Sequence, residues 1–240
     1  DALPILPGSG IPPGWNARPA VLKLVYYRCP IVCTTLLQKL MERLNEIDYQ
    51  AGKDFNVLVF SFDYSEGPMD AKAAQIGYGG QYKGWSDPDA QAGFRFHTGD
   101  AASNRALADA VGFPYRKLDN GEYSHPVATI FLSPEGKVVR YHYGFEVPAE
   151  QMKLALLDAS QGKLAKSFGD RILHFCFRYD PNAGKYTLAA MRVMQLGGLA
   201  SMGFLTVLIG GLLVVDRVRK GRRAAVAASS VEIVKGESER

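Results

Sequence analysis

The chain has 240 residues, of which 47% are hydrophobic and 22% charged, and its formal net charge is +4. This length suits one globular domain with an appendage, and so small a charge gives no case for nucleic acid binding. Three cysteines are too few for a disulfide-dense scaffold. We find no glycine-rich phosphate loop, no zinc-type Cys/His spacing and no internal repeat.

The first element after a Pro/Gly-rich start is a buried strand that leads into a helix. Residues 20–27 form an apolar run, and residues 31–47 carry apolar side chains at helical spacing. Pro30 suits the first helical position. The pattern therefore places Cys29 in the strand-to-helix turn and Cys33 one helical turn further on.

These two cysteines are the most informative residues in the sequence. A separation of four puts both sulfurs on one face, and a helix N-terminus favours the thiolate form. Two such thiolates take a soft metal or close into a disulfide. Their spacing is wider than the two-residue gap of a thioredoxin redox motif, which favours the metal. A buried structural pair or a stabilising disulfide is the alternative.

The rest of the first 162 residues alternates between strands and helices. This alternation, with a hairpin and a helix at its end, predicts an α/β fold: a thioredoxin-like mixed sheet flanked by helices. The expected strands are 56–62, 94–97, 127–132 and 137–143; the expected helical segments are 69–83, broken by glycines, 103–111, capped by Ser103, and 148–161.

A third ligand would complete a trigonal copper(I) site, and imidazole suits it. The candidates are His97, His125, His142 and His174. His125 stands directly before the strand 127–132, and in thioredoxin-like folds the loop that enters this strand lies against the cysteine turn. His174 would share one side of an extended segment with Cys176, although we favour a packing role for that segment.

The C-terminal quarter contains a candidate membrane span. Residues 193–215 carry no charge and are long enough to cross a bilayer as a helix. Five cationic residues at 217–223 follow, so the positive-inside rule predicts a cytoplasmic C-terminus and an extracytoplasmic main domain, periplasmic in a bacterium. Export requires a leader that residues 1–17 do not show, so we expect it to be removed or missing. The glycines of the span would admit a partner helix.

The segments that carry the candidate metal ligands resemble those of the SCO/SenC family, copper-binding thioredoxin-like proteins that help to assemble cytochrome c oxidase. The resemblance covers roughly residues 18–160. It rests on the motif Tyr27–Cys33, on the strand ending at Asp63, and on His125 ahead of a strand and a Ser-Pro-Glu-Gly turn. It implies that Cys29, Cys33 and His125 are copper ligands and that Asp63 lies near them.

The sequence also departs from the family pattern. Asp63 is followed by Tyr-Ser-Glu-Gly-Pro, where the family usually has Pro and then Asp-Thr-Pro, and Pro126 stands where the family more often has Ser or Thr. Most members of the family are anchored at the N-terminus, whereas the span here is C-terminal. A branch with a different task would explain that difference.

The resemblance implies a copper chaperone rather than an enzyme. Its partner would be the copper-bearing subunit of cytochrome c oxidase or another respiratory membrane complex, and its span would contact membrane lipid. Two alternatives remain: a thiol–disulfide oxidoreductase that acts through Cys29 and Cys33, and a non-catalytic subunit of a respiratory complex. The expected organisation is a coil at 1–17, a thioredoxin-like copper-binding domain at 18–162, a linker at 163–191, a transmembrane helix at 192–216 and a basic tail at 217–240.

Overall fold

The protein is described by a computed structural model that divides into two compact units, residues 1–188 and residues 189–240. The predicted N-terminal coil, the placement of Pro30 and most of the basic tail lie outside the described residues. The structure describes residues 18–29, 31–180, 185–188, 194–215 and 217.

A five-stranded mixed sheet organises the first unit, in the order β3-β2-β1-β6-β7. The first three strands in the chain are parallel, with β1 between β2 and β6, and β6 and β7 are antiparallel. Two small two-stranded sheets, β4-β5 and β8-β9, accompany it. The strands are β1 (Ala20–Val25), β2 (Asn56–Ser61), β3 (Phe94–His97), β4 (Arg116–Lys117), β5 (Tyr123–Ser124), β6 (Ala128–Leu132), β7 (Val138–Tyr143), β8 (Phe177–Asp180) and β9 (Lys185–Leu188).

Helices cover both faces of the sheet, which confirms the thioredoxin-like α/β class. Side chains on a strand alternate between faces, so Val21 and Val25 of β1 pack in one core with α1 and α5, while Leu22 and Leu24 pack in a second core with α4. The helices are α1 (Val32–Glu46), α2 (Pro68–Gly79), α3 (Pro88–Gly93), α4 (Ala101–Ala110), α5 (Ala149–Ala159) and α6 (Phe168–Cys176).

Two helices differ from the sequence prediction. Helix α2 continues through Gly77 but ends at Gly79, with Gly80 as its C-cap. Of the three expected glycine breaks, the one at Gly77 is therefore wrong, because a glycine weakens a helix without necessarily ending it. Helix α4 begins at Ala101, and its cap is Asp100, whose carboxylate accepts the backbone N–H of Ser103 at 2.7 Å. Ser103 therefore receives the cap instead of supplying it.

The segment predicted as a linker contains ordered structure. Residues 168–176 form α6, and β8 and β9 follow it as a hairpin. The expectation that His174 and Cys176 share one side of an extended segment is wrong, because residues two apart on a helix are separated by about 200°.

In the second unit the described residues form one long helix, Met194–Val215. It is the one helix among the described residues that is long and apolar enough to cross a membrane. This agrees with the span predicted at 193–215.

Candidate metal centre

The cysteine turn lies between the end of β1 and the start of α1. Both cysteines are free thiols and nearly buried, with 6% of Cys29 and 2% of Cys33 exposed. The sulfur of Cys29 accepts the backbone N–H of Cys33 at 3.3 Å, and Ile31 at the N-cap position provides no side-chain cap. A helix start leaves its first N–H groups without partners. Cys29 therefore serves as the cap of α1 while it remains a candidate ligand.

The two thiols differ in acidity. Burial raises the pKa of Cys29, but hydrogen bonds from the Cys33 amide and the Tyr26 hydroxyl outweigh it, so this pKa lies below its usual value. Burial raises the pKa of Cys33 to about 12, and the neighbouring charges of Cys29 and Glu66 act in the same direction. Cys29 is thus the thiol that ionises first.

Tyr26 connects the cysteine turn to an aromatic cluster. Its hydroxyl hydrogen-bonds the Cys29 sulfur. Its ring packs against Phe62 at 5.6 Å and Tyr123 at 5.4 Å, and meets His125 edge-on at 6.4 Å, all between ring centroids. One side chain therefore contacts both a candidate cysteine ligand and the candidate histidine.

Glu66 holds the backbone that precedes Cys29. This nearly buried carboxylate accepts the N–H of Tyr27 at 2.8 Å, the N–H of Arg28 at 2.6 Å and the hydroxyl of Ser61. Backbone donors aimed at one carboxylate fix the path of the chain. The segment in which the sequence departs from the family pattern thus supplies the group that orients the cysteine turn.

A buried lysine lies beneath the site. Lys23 is 2% exposed on β1, and its ammonium group donates to the carbonyl oxygen of Ala128 at 3.2 Å. Burial lowers the pKa of Lys23 to about 7, while attraction to the Cys33 thiolate opposes that shift. Lys23 is therefore a cation that becomes neutral near physiological pH, next to the less acidic thiol.

His125 lies in the loop between β5 and β6, as predicted. Its Nδ1 is 2.9 Å from the carbonyl oxygen of Pro126. A carbonyl oxygen only accepts, so this contact favours the proton on Nδ1 and leaves the lone pair on Nε2, the usual arrangement of a metal-binding histidine. The ring also packs against Phe62 at 5.1 Å and Phe113 at 5.9 Å.

The structure brings the two cysteines together but does not complete a three-ligand site. Among the described residues, no group of three or more His, Cys, Asp and Glu side chains is close enough to hold a metal ion. The donor set itself fits copper(I), which prefers thiolate and accepts imidazole. A trigonal site on this set requires His125 to approach the thiols, past the ring of Tyr26.

Two of the other histidines, His142 and His174, make polar contacts that need no metal, whereas the buried Nε2 of His97 has no hydrogen-bond partner among the described residues. The His97 ring stacks on Phe60 at 4.7 Å. His142 has Nε2 3.1 Å from the carbonyl oxygen of Glu146, and His174 has Nε2 3.0 Å from the Asp158 carboxylate. The structure groups none of these three histidines with the cysteines.

Asp63 lies behind the aromatic cluster. Its carboxylate accepts the hydroxyl of Tyr123 at 3.1 Å and the N–H of Ser65 at 2.9 Å. Burial raises the pKa of Asp63, but these hydrogen bonds outweigh it and hold the pKa below its usual value. Asp63 is therefore connected to Tyr26 through Tyr123, whose hydroxyl donates to Asp63 and whose ring packs against Tyr26.

Sequence reasoning missed three residues of this site. Lys23 stands within the apolar run of β1, and a charged residue in such a run is a local signal that could have identified it. Nothing local marks Tyr26 or Glu66, because the contacts of Glu66 with residues 27 and 28 join positions 39 and 38 apart in the chain.

Comparisons with known proteins agree with this fold and motif. A sequence profile of the SCO1/SenC family matches residues 14–158. A putative electron transfer protein from Aquifex aeolicus VF5 is 25% identical with a TM-score of 0.53, over 63% of this chain and 83% of that one. The comparison with curated proteins returned no match.

Two further solved structures are Sco proteins. Arabidopsis thaliana ScoI, solved with copper bound, is 18% identical with a TM-score of 0.45, over 60% of this chain and 85% of that one. BsSco, a member of the Sco family of cytochrome c oxidase assembly proteins in which a disulfide switch was identified, is 18% identical with a TM-score of 0.47, over 62% and 84%.

The first unit is a thioredoxin-like domain with a cysteine pair at a helix start. The family profile covers more than half of the chain, so the protein belongs to the SCO1/SenC family.

Proposed function

We propose that this protein is a copper(I)-binding member of its family, anchored by its C-terminal helix, and that it delivers copper to a cytochrome c oxidase or maintains the copper site of that enzyme. The observation that carries the proposal is the pair of nearly buried thiols at the start of α1, with Cys29 just before the helix and Cys33 in its first turn. Hydrogen bonds to the Cys29 sulfur favour its thiolate form. Thiolates are the protein ligands that copper(I) prefers.

Family membership supplies the rest of the support. Sco relatives are solved with copper bound, and BsSco is described as belonging to a family of cytochrome c oxidase assembly proteins. Copper would be cargo in this role, so the protein needs two exchangeable thiolates and no catalytic acid or base. Cys29 and Cys33 supply the thiolates, and His125 would be the third ligand.

The ligand set is tested by copper(I) titration of the reduced full-length protein in detergent, against a competing chelator. We expect about one copper per chain for the wild type and loss of tight binding in Cys29→Ser and in Cys33→Ser, because a hydroxyl is a hard ligand that stays protonated. Cys176→Ser is the matched control and should bind as the wild type does. Full stoichiometry in Cys33→Ser would exclude the proposed site.

A second candidate function has its own observation. The pKa of Cys29 is lowered and that of Cys33 is raised to about 12, the asymmetry expected of an attacking thiol and a resolving thiol. Cys29 would attack a partner disulfide to form a mixed disulfide. Cys33 would then release the partner as a dithiol and leave a Cys29–Cys33 disulfide, which a thiol reductant must reduce.

His125 separates the two functions. Disulfide exchange needs only the cysteines, whereas tight copper binding needs the imidazole as well. The His125→Ala protein could reduce a disulfide peptide at the wild-type rate and yet lose tight copper binding. That result would show that the pair Cys29 and Cys33 carries out both activities. A Cys33→Ser protein that traps no mixed disulfide would remove the redox candidate.

The sidedness of the membrane anchor is also part of the proposal. The cationic residues at 217–223 follow the candidate span, and such clusters remain on the cytoplasmic side. The copper-binding unit would then be extracytoplasmic. Protease added to intact spheroplasts should degrade this unit and leave a tag on the C-terminus uncut; the reverse pattern would overturn the orientation.

A further inference from the structure

Helix α6 is held firmly at its start. The hydroxyl of Ser167 accepts the N–H of Asp170 at 3.1 Å, and the carboxylate of Asp170 accepts the N–H groups of Ser167 at 3.0 Å and Lys166 at 2.9 Å. Reciprocal capping of this kind satisfies the donors that a helix start exposes. The helix is therefore a defined element of the first unit, although it has only nine residues.

The inner face of α6 is fixed to the rest of the unit. Asp170 pairs with Lys153 at 2.6 Å, His174 contacts Asp158 at 3.0 Å, and Leu173 packs against the larger core. Contacts at three positions along one face set the rotation of the helix about its axis. They also determine which side chains must face outward.

The outward side chains form an apolar stripe. Phe168, Ile172 and Phe175 are 76%, 40% and 43% exposed. Their spacing of i, i+4 and i+7 places them within an arc of roughly 60°. We call these three residues the α6 stripe. Arg171, which is also exposed, borders it.

The candidate span follows α6 closely in the chain. Phe177, the residue after α6, pairs with Leu188 across the β8–β9 hairpin. Six residues then lead from Leu188 to Met194, where the candidate span begins, and such a segment reaches no more than about 22 Å when fully extended. The length of the chain therefore allows the C-terminal end of α6 to reach a bilayer that the span crosses.

We propose that the α6 stripe docks on the lipid surface of the membrane that the C-terminal helix enters. An amphipathic helix in the interface buries its apolar face about 5–10 Å into the boundary between head groups and acyl chains. Arg171 at the border of the stripe complements lipid phosphate. A second copy of the chain fits less well, because a stable dimer covers about 800 Å² on each partner and the stripe offers three apolar side chains.

This contact would hold the first unit against the bilayer instead of leaving it on a free tether. It is independent of copper, since none of its residues belongs to the metal site, and it rests on the membrane anchor proposed above. Docking would restrict the orientations in which the first unit approaches a membrane-bound partner.

The test is depth-dependent quenching in the full-length protein, reconstituted into phosphatidylcholine vesicles whose acyl chains carry bromine near the head group or near the bilayer centre. Ile172→Trp reports on the α6 stripe, and Ile76→Trp is the matched control, because Ile76 is an isoleucine that is 56% exposed on α2. The emission of the two native tryptophans is subtracted with the parent protein.

Docking predicts that the shallow bromines quench Ile172→Trp at least about three times more strongly than Ile76→Trp, and more strongly than the deep bromines do. Phe168→Trp, a conservative change in the same stripe, should behave like Ile172→Trp. Replacing Arg171 with Glu in vesicles that contain phosphatidylglycerol should reduce the quenching. Equal quenching at positions 172 and 76 would overturn the proposal. It would also be overturned if the emission of the tryptophan at position 172 changed with the protein-to-lipid ratio and not with the position of the bromines.

Discussion

The cysteine turn and the histidine loop, which together supply the proposed copper ligands, differ in how the rest of the chain holds them. The turn is fixed from outside by Glu66 and from within by the bond between the Cys33 amide and the Cys29 sulfur. Among the residues that the structure describes, the ring of His125 has one polar contact, with its neighbour Pro126, and otherwise packs against aromatic rings.

We call the turn that carries Cys29 and Cys33 the cysteine half of the proposed site, and the loop that carries His125 the histidine half. The two halves differ in how rigidly they are held. Directional hydrogen bonds to backbone groups fix a position, whereas ring packing tolerates sliding and tilting. In the proposed copper site the cysteine half would therefore be preorganised before any metal arrives, and the histidine half would close on it. Such a closure would displace Tyr26, which contacts both halves.

The largest effect should come from removing the external support of the turn. Glu66→Ala leaves two backbone N–H groups and the Ser61 hydroxyl without their acceptor, so we expect a loss of about 3–5 kcal/mol in the free energy of unfolding. Urea unfolding in a mild detergent, followed by tryptophan fluorescence, measures it. The control is Glu42→Ala, which ends an exposed ion pair with Lys39 on α1 and should change stability by less than about 1 kcal/mol. A comparable loss in both variants would contradict the special role of Glu66.

The next effect concerns the buried charge beneath the turn. The pKa of Lys23 falls from 10.5 to about 7 on folding, so between these values the unfolded chain binds the extra proton and stability rises with pH. Lys23→Met removes this dependence and one hydrogen bond. We expect the variant to be more stable by about 3 kcal/mol at pH 7 and nearly equal to the wild type at pH 10.

The same urea measurement at the two pH values checks this prediction. Lys39→Met is the control, because Lys39 lies on the exposed side of α1 and is not buried. A Lys23→Met protein with the same stability advantage at both pH values would mean that the lysine acts through packing and not through its charge.

The sequence predicted the helix that carries Cys33, but it did not predict the contacts that hold the cysteine turn in place. Strand β3 has the predicted bounds, and α1 lies within one residue of them at each end, since apolar periodicity is a local signal. Helix α3 was missed because six residues are too few to show a period. The contacts of Glu66 and the distance of His125 from the thiols depend on chain folding, which no local pattern encodes.

A smaller effect separates the two halves directly. His125→Ala should weaken copper(I) binding by about 10- to 100-fold, or 1.4–2.7 kcal/mol, because it removes the proposed third ligand. It should lower the free energy of unfolding by only about 1 kcal/mol, because the loop makes few directional contacts. Competition titration and urea unfolding give the two numbers. His142→Ala is the control, since that histidine lies on β7 and its Nε2 is 3.1 Å from the carbonyl oxygen of Glu146. A stability loss as large as that of Glu66→Ala would show that the loop is as fixed as the turn.

The smallest effect tests the residue that joins the halves. The Tyr26 hydroxyl lowers the pKa of Cys29, and a lower pKa means more thiolate at neutral pH. Tyr26→Phe keeps the ring but removes this donor, so the pKa of Cys29 should rise and alkylation of Cys29 by iodoacetamide at pH 7 should slow by about 3- to 10-fold. Near pH 10 both proteins approach full ionisation, so their rates should converge.

Mass spectrometry of the alkylated peptides locates the reaction. Cys29 should react first and Cys33, with its pKa raised to about 12, should remain largely unmodified. Tyr123→Phe is the matched control, because the Tyr123 ring also packs against Tyr26 while its hydroxyl donates to Asp63. Slowing by Tyr123→Phe to the same extent would assign the effect to the aromatic cluster as a whole. Slowing by Tyr26→Phe alone would assign it to a single hydroxyl, the one that would have to leave Cys29 if His125 joined the two thiols in the proposed copper site.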